Sequence, residues 1–358
     1  MKTITRIVTA LLIVVSAANM HAQITQQKVF QKSYALEKAK DYGSAITVMK
    51  EVYDKSSYEI NLRLGWLYYK AEDYQESVTY YQNASNLEPQ ALEAKNGLTY
   101  PLSLLDIEKL MELYKKILEL DPMDVNANYQ LGYYYYNKSN LAQAKTYFEK
   151  VIALYPSGYD QYLRETWRDV TKQPVVAEKI VTAFTKSYQL EYTKDYAGAI
   201  AALKDVDDPT YYDVNLRLGW LNYLKGMFRE SVNYYKIAID LKPDAIEPRI
   251  GINYVLTSLG NNDEVIAQNK KILEVNPQNT YSNYAVGMYY YNKGDYGSAL
   301  TYFEKIVKLY PFTYDALIKY AWTNLKLGKM NEAKALFDRV ITLSPGDKSA
   351  LEGLSMIK

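Results

Sequence analysis

Apolar and polar positions recur along this chain in units of 34 residues, each reading as two helical stretches joined by a short polar turn such as Asn292-Lys293-Gly294-Asp295. In the clearest unit, 125–158, Leu131, Gly132, Tyr135, Ala144, Phe148 and Pro156 stand at positions 7, 8, 11, 20, 24 and 32. Residues 58–91 repeat it with Leu64, Gly65, Tyr68, Ser77, Tyr81 and Pro89, and 212–245 with Leu218, Gly219, Ser231, Tyr235 and Pro243. Residues 280–313 do so with Val286, Gly287, Tyr290, Ala299, Phe303 and Pro311. Weaker units fill 26–57, 92–124, 180–211, 246–279 and 314–347. The small residues at 8 and 20 let two antiparallel helices approach, the aromatics at 11 and 24 fill the space beside them, and the proline at 32 stops the second helix. Pro101, inside a first helix, is expected to kink it.

A second level of order is a duplication of half the chain. Residues 61–67 are identical to 215–221, 116–119 to 271–274, and 146–150 to 301–305. Two modules in tandem follow, 23–174 and 175–358. Residues 159–171 read as a first helix with no second, a cap on the first module, and 348–358 cap the second. Lys172-Gln173-Pro174 breaks the chain between them, so a hinge is expected near Pro174.

The series Leu-Gly-x2-Tyr, Ala-x3-Phe, Pro resembles that of the tetratricopeptide repeat, with Asn128 where that pattern carries Trp at position 4. The resemblance covers nearly all of the chain after its first stretch. It implies an all-α solenoid of about nine helical hairpins with capping helices, wound as a right-handed superhelix. It also implies that the first (A) helices line a concave surface, into which positions 2, 5, 9 and 12 point. Position 9 carries Trp66, Tyr133, Trp167, Trp220, Met288 and Trp322, with Tyr100 and Tyr254 at two further sites. Position 12 carries Tyr69, Tyr136, Tyr223 and Tyr291, and position 5 carries Tyr129 and Tyr284. The expected groove is an aromatic strip with Arg63 and Arg217, at position 6, as candidate anchors for an acidic group. Two readings of the tryptophans stand side by side: ligand contact, or packing between neighbouring A helices. For the arginines the second reading is solvation or ion pairing within the solenoid.

Composition narrows the chemistry. Met1–Ala22 has a basic start (Lys2, Arg6), an apolar run from Ile7 to Ala18 and a small residue at Ala22, the layout of a cleavable secretory signal. Cleavage before Gln23 is expected, placing the protein across the inner membrane, periplasmic or extracellular, with no integral membrane span after cleavage. Its removal takes away His21, the only histidine, and lowers the basic count from 42 to 40 against 41 acidic residues. With no cysteine, the remaining chain lacks histidine bases, thiolates and Cys/His metal ligands, so neither catalysis, a cofactor nor a metal is expected. The acidic run Asp205, Asp207 and Asp208 has no EF-hand-like spacing and reads as a solvated turn. Near-neutral charge argues against a nucleic-acid partner. The function expected is a non-catalytic interaction scaffold that binds a peptide or helical segment of a partner protein on the aromatic groove. The alternative is a carbohydrate ligand stacked on the same rings.

Overall fold

A computed structural model describes residues 25–157, 161–172 and 178–357. The expected signal segment, with His21, and the expected hinge at Pro174 lie outside the described residues. All regular structure among the described residues is helical. The hairpins are α1 (25–38) with α2 (Tyr42–Glu51), α3 (Tyr58–Lys70) with α4 (Tyr74–Leu87), α5 (Leu92–Leu105) with α6 (Ile107–Leu120), and α7 (Val125–Asn137) with α8 (Leu141–Leu154). After the lone α9 (Gln161–Thr171) come α10 (Glu178–Tyr192) with α11 (Tyr196–Ala201), and α12 (Tyr212–Leu224) with α13 (Phe228–Leu241). Then follow α14 (Glu247–Ser258) with α15 (Asn262–Val275), α16 (Thr280–Asn292) with α17 (Tyr296–Leu309), and α18 (Tyr314–Lys326) with α19 (Met330–Leu343). The single helix α20 (Lys348–Ser355) ends the series. The two unpaired helices stand where the sequence pattern calls for caps.

Whereas α5 passes to α6 through the extended Asp106, the other eight of the nine hairpins turn at one left-handed residue, Lys40, Glu72 and Ser139 in the first module and Lys194, Gly226, Gly260, Gly294 and Gly328 in the second. Non-glycine residues pay a steric cost there that the packed hairpin sustains. The next residue caps the second helix: Asp73 Oδ1 accepts from the Glu76 N–H at 3.2 Å, and Asp41, Asn140, Asp195 and Asp295 act likewise.

The reason for glycine at position 8 is visible in the core. A Cβ on Gly65 would stand 2.7 Å from the Tyr81 ring, and one on Gly97, at position 6 of the next A helix, α5, 2.3 Å from it. Tyr81 is thus wedged between two successive A helices, as Tyr235 is between Gly219 and Gly251. The serine at position 20 adds a hydrogen bond to this contact: Ser77 Oγ donates to the Gly65 carbonyl at 2.8 Å, Ser231 to that of Gly219 at 2.7 Å. Each fully buried aromatic contributes roughly 1.5–3 kcal/mol of transfer free energy, so the wedges carry much of each repeat's stability.

Asparagine at position 4 replaces packing by hydrogen bonding. Asn128 Nδ2 donates to the carbonyls of Pro122 (3.1 Å) and Asp124 (2.8 Å), tying α7 to the turn that precedes it. Asn61, Asn215 and Asn283 do the same at their own repeats, and Lys95 reaches the Pro89 carbonyl at 2.6 Å. Pro101 lies within α5, which continues to Leu105.

The chain packs as two compact units. One runs to Leu113 and resumes at Tyr290; the other is Tyr114–Tyr289. Each unit takes part of both sequence modules, because the duplication follows chain order and the units follow contact.

Candidate binding surface

Six of the aromatic residues expected in the groove assemble into a cluster that is built once in each unit. In the first, the Trp66 and Tyr69 rings lie 5.9 Å apart on α3, and Tyr69 also meets Tyr74 at 5.9 Å and Tyr100 of α5 at 5.4 Å. In the second, Trp220 and Tyr223 of α12 lie 5.6 Å apart, and Tyr223 meets Phe228 at 6.1 Å and Tyr254 of α14 at 6.0 Å. Tyr100 and Tyr254 are each 50% exposed, so each cluster offers an accessible ring edge supported by rings behind it.

Beneath each cluster sits a polar clamp. Arg63 is buried, pairs with Glu37 of α1, bonds Ser33 Oγ at 3.1 Å and stacks on the Tyr34 ring with its guanidinium 4.2 Å from the centroid. Glu37 also accepts the Trp66 indole N–H at 2.5 Å. The second unit repeats this: Arg217 pairs with Glu191, bonds Ser187 at 3.2 Å and lies 3.9 Å over Tyr188, while Trp220 donates to Glu191 at 2.7 Å. Burial pushes the Tyr34 hydroxyl up to about 12, against the smaller opposing pull of Arg63, so the ring stays neutral under the guanidinium.

Of the readings open for Arg63 and Arg217, these contacts match ion pairing within the solenoid, with both side chains buried against their own neighbours. The tryptophans split their roles. Trp66 and Trp220 have half-buried rings in the cluster but indole N–H groups committed to the preceding repeat. Trp322 donates to Ser349 of the cap helix at 2.8 Å, and Trp167 packs with Val170 and Tyr133 in the core under α9. Tyr133 is buried, 5.0 Å from Phe148, and Tyr129 lies 4.7 Å from Tyr133, so this pair is core. Tyr136 donates to Asp169 of α9 at 2.7 Å. Tyr291 meets Tyr296 at 5.4 Å with the Lys319 ammonium 5.6 Å from its ring, and Tyr284 and Met288 are half-buried. Sequence reasoning missed the partners Ser33, Tyr34 and Glu37 and their copies; their constant spacing to Arg63 and Arg217 in both modules was the available signal.

No group of three or more acidic or histidine side chains among the described residues is placed to hold a metal ion. Asp208 instead accepts from the Thr210 N–H and hydroxyl at 2.8 and 2.7 Å, which hold its carboxyl below the usual range. None of the described helices is long and apolar enough to cross a membrane.

Stacked helical hairpins with an aromatic face define a helical-repeat protein. Tetratricopeptide-repeat family models match residues 58–90, 125–157 and 284–348, so those stretches are tetratricopeptide repeats. It is 24% identical over 250 residues to the TPR repeat-containing protein MJ1428 of Methanocaldococcus jannaschii, covering 66% of this chain and 41% of that one. It is 24% identical over 297 residues to the TPR repeat-containing protein YpiA of Bacillus subtilis, covering 80% of this chain and 64% of that one. It is 25% identical over 336 residues to the human Superkiller complex protein 3, covering 90% of this chain and 20% of that one. The chain therefore spans less than two thirds of these relatives. Among solved structures, YrrB, described as a TPR protein with an unusual peptide-binding site, aligns over 56% of this chain and 100% of its own at 17% identity and a TM-score of 0.40. MamA aligns over 47% of this chain and 93% of its own at 19% identity and the same score, 0.40.

Proposed function

We propose that the protein is a non-catalytic interaction scaffold working outside the cytoplasm, and that it holds a peptide or helical segment of a partner protein against the aromatic faces of its A helices. The observation that carries this reading is the cluster built twice, with Tyr100 and Tyr254 half exposed over Tyr69 and Tyr223. Such rings offer wide apolar contact and a polar tip while freezing few rotamers, the chemistry favoured where proteins recognise one another. The clamps below hold the clusters in place before a ligand arrives, which lowers the entropic cost of binding. Superkiller complex protein 3 is by its name a member of a complex, a role that suits a scaffold. The secretory layout of Met1–Ala22 supports an extracytoplasmic address.

The test is affinity capture from a cell-envelope fraction with wild-type protein and with a Tyr100→Ala, Tyr254→Ala variant. Both rings sit at the rim of their clusters, so their loss leaves the core intact. Proteins held by wild type and lost by at least tenfold from the variant would support the reading. Full retention by the variant would remove the aromatic faces from it. Quenching of Trp66 and Trp220 fluorescence by oligosaccharides and not by captured peptides would put a carbohydrate in the partner's place.

A further inference from the structure

Two enclosed glutamates outside the aromatic clusters occupy equivalent places. Glu93, in the first turn of α5, accepts from the Tyr58 hydroxyl at 3.2 Å and from the Phe312 backbone N–H at 2.9 Å. Glu247, at the start of α14, accepts from the Tyr212 hydroxyl at 2.7 Å and the Ser157 hydroxyl at 2.5 Å. Tyr58 and Glu93 precede Tyr212 and Glu247 by 154 residues, and Ser157 precedes Phe312 by 155, so one arrangement is made twice from duplicated residues. In both, the residue bound follows a Tyr-Pro pair, Tyr155-Pro156 or Tyr310-Pro311, at the end of a second helix. Proline has no N–H to offer, which leaves the next residue to meet the carboxyl. Apolar contacts frame each seat. Phe312 lies edge-on to Phe30 at 6.2 Å in the first unit. In the second, Leu154 packs with Ile246 and Ile272, and the Ile246 N–H donates to the Leu154 carbonyl at 3.0 Å.

The contacts run in opposite directions between the sequence modules. Tyr58 and Glu93 belong to the first module and hold a turn of the second; Tyr212 and Glu247 belong to the second and hold a turn of the first. We propose that Tyr58–Glu93 and Tyr212–Glu247 are two copies of one self-recognition site, whose ligand is the Tyr-Pro turn of the other module, and that this exchange holds the modules together. Reciprocal use of one patch is the contact logic of a two-fold pair, here realised within one chain. A carboxyl taken out of water is tolerable only when its oxygens find donors, so each empty seat is unfavourable and each filled one is specific. Burial pushes the Glu93 carboxyl up to about 7 and the Glu247 carboxyl also up, consistent with seats made to exclude water. Tyr58, Tyr34, Tyr81, Glu59 and Arg339 are the titratable and charged groups around Glu93; Tyr212 and Asp213 are those around Glu247.

The chain has no cysteine, so dye pairs at introduced cysteines report distances in the full-length protein. Lys32→Cys with Asn331→Cys spans the seat of the first unit, and Lys145→Cys with Asn262→Cys that of the second. Glu93→Ala should lengthen the first distance and spare the second, and Glu247→Ala should do the converse. Glu93→Gln and Glu247→Gln keep an acceptor and the shape and should hold both distances. Should an Ala variant fail to fold, the wild type alone serves: its first distance should lengthen between pH 5 and pH 9, and Glu93→Gln should abolish that change. Alanine variants that leave their own distance unaltered, alterations spread equally over both pairs, or a wild-type distance indifferent to pH would overturn the proposal. None of these readings depends on an external partner, so they stand or fall apart from the scaffold function.

Discussion

At the scale of single residues, the arginine at position 6 shows how a charge is accommodated in a helical stack. Arg63 has its guanidinium on the Tyr34 face and against Glu37 and Ser33, so its desolvation is offset by an ion pair, a hydrogen bond and a ring. Removing it strands the Glu37 carboxylate beside an apolar face. Arg63→Ala is expected to lower unfolding free energy by about 3 kcal/mol, read from the midpoint of urea denaturation, with Arg217→Ala giving a loss of the same size in its own unit. Gly65 makes a different demand, for space. Gly65→Ala places a methyl 2.7 Å from the Tyr81 ring and should cost about 1–3 kcal/mol by overpacking, where the same change at Gly43, with nothing within 4 Å, should cost no core packing.

At the scale of the helix, the repeats are fixed at their ends. Asp73 satisfies the free N–H of Glu76 at the start of α4, and Asn128 ties the start of α7 to the preceding turn. Asp73→Ala should cost about 1 kcal/mol, seen as faster amide hydrogen exchange confined to the first turn of α4. Asn128→Ala leaves two turn carbonyls without their side-chain donor and should cost about 1–2 kcal/mol, with exchange rising at residues 122–128. These contacts were only half legible in the sequence. An aspartate stands before α2, α4, α6, α11 and α17, where its short side chain reaches an N–H of the first turn. The asparagine at position 4 looked like a departure from the repeat pattern because its carbonyl partners lie in the turn of another repeat.

At the scale of the whole molecule, burial couples stability to pH through Glu93. Its carboxyl ordinarily titrates near 4.5 and is raised to about 7 in the folded chain. A group raised in this way contributes stability that is complete below its unfolded value and is lost as pH climbs through the folded one. The difference corresponds to roughly 3 kcal/mol, so the first unit should be more stable at pH 5 than at pH 8. Thermal melts across that range, with Glu93→Gln flattening the trend, measure it. Cap helix α20 covers the other vulnerable place: Phe337 lies against Gly353, and Trp322 donates to Ser349. Truncation after Pro345 would bare both rings and should lower the melting temperature by several degrees.

The sequence by itself determined the all-helical class, the repeat length, the hairpin turns, the two capping helices and the aromatic character of the A-helix faces. These follow from local spacing: glycine opposite an aromatic, proline after a helix and aspartate before one act on neighbours within a single repeat. It also placed Tyr69 and Tyr223 in their clusters, because residues three and four apart share a helix face. Tertiary structure decided which of the aromatics are exposed, turned Tyr133 into core, drew Arg63 and Arg217 inward to Glu37 and Glu191, and set Glu93 against Phe312. Those pairings join residues 26 to 219 positions apart, a range over which no periodic pattern specifies a partner and only the geometry of stacked helices does.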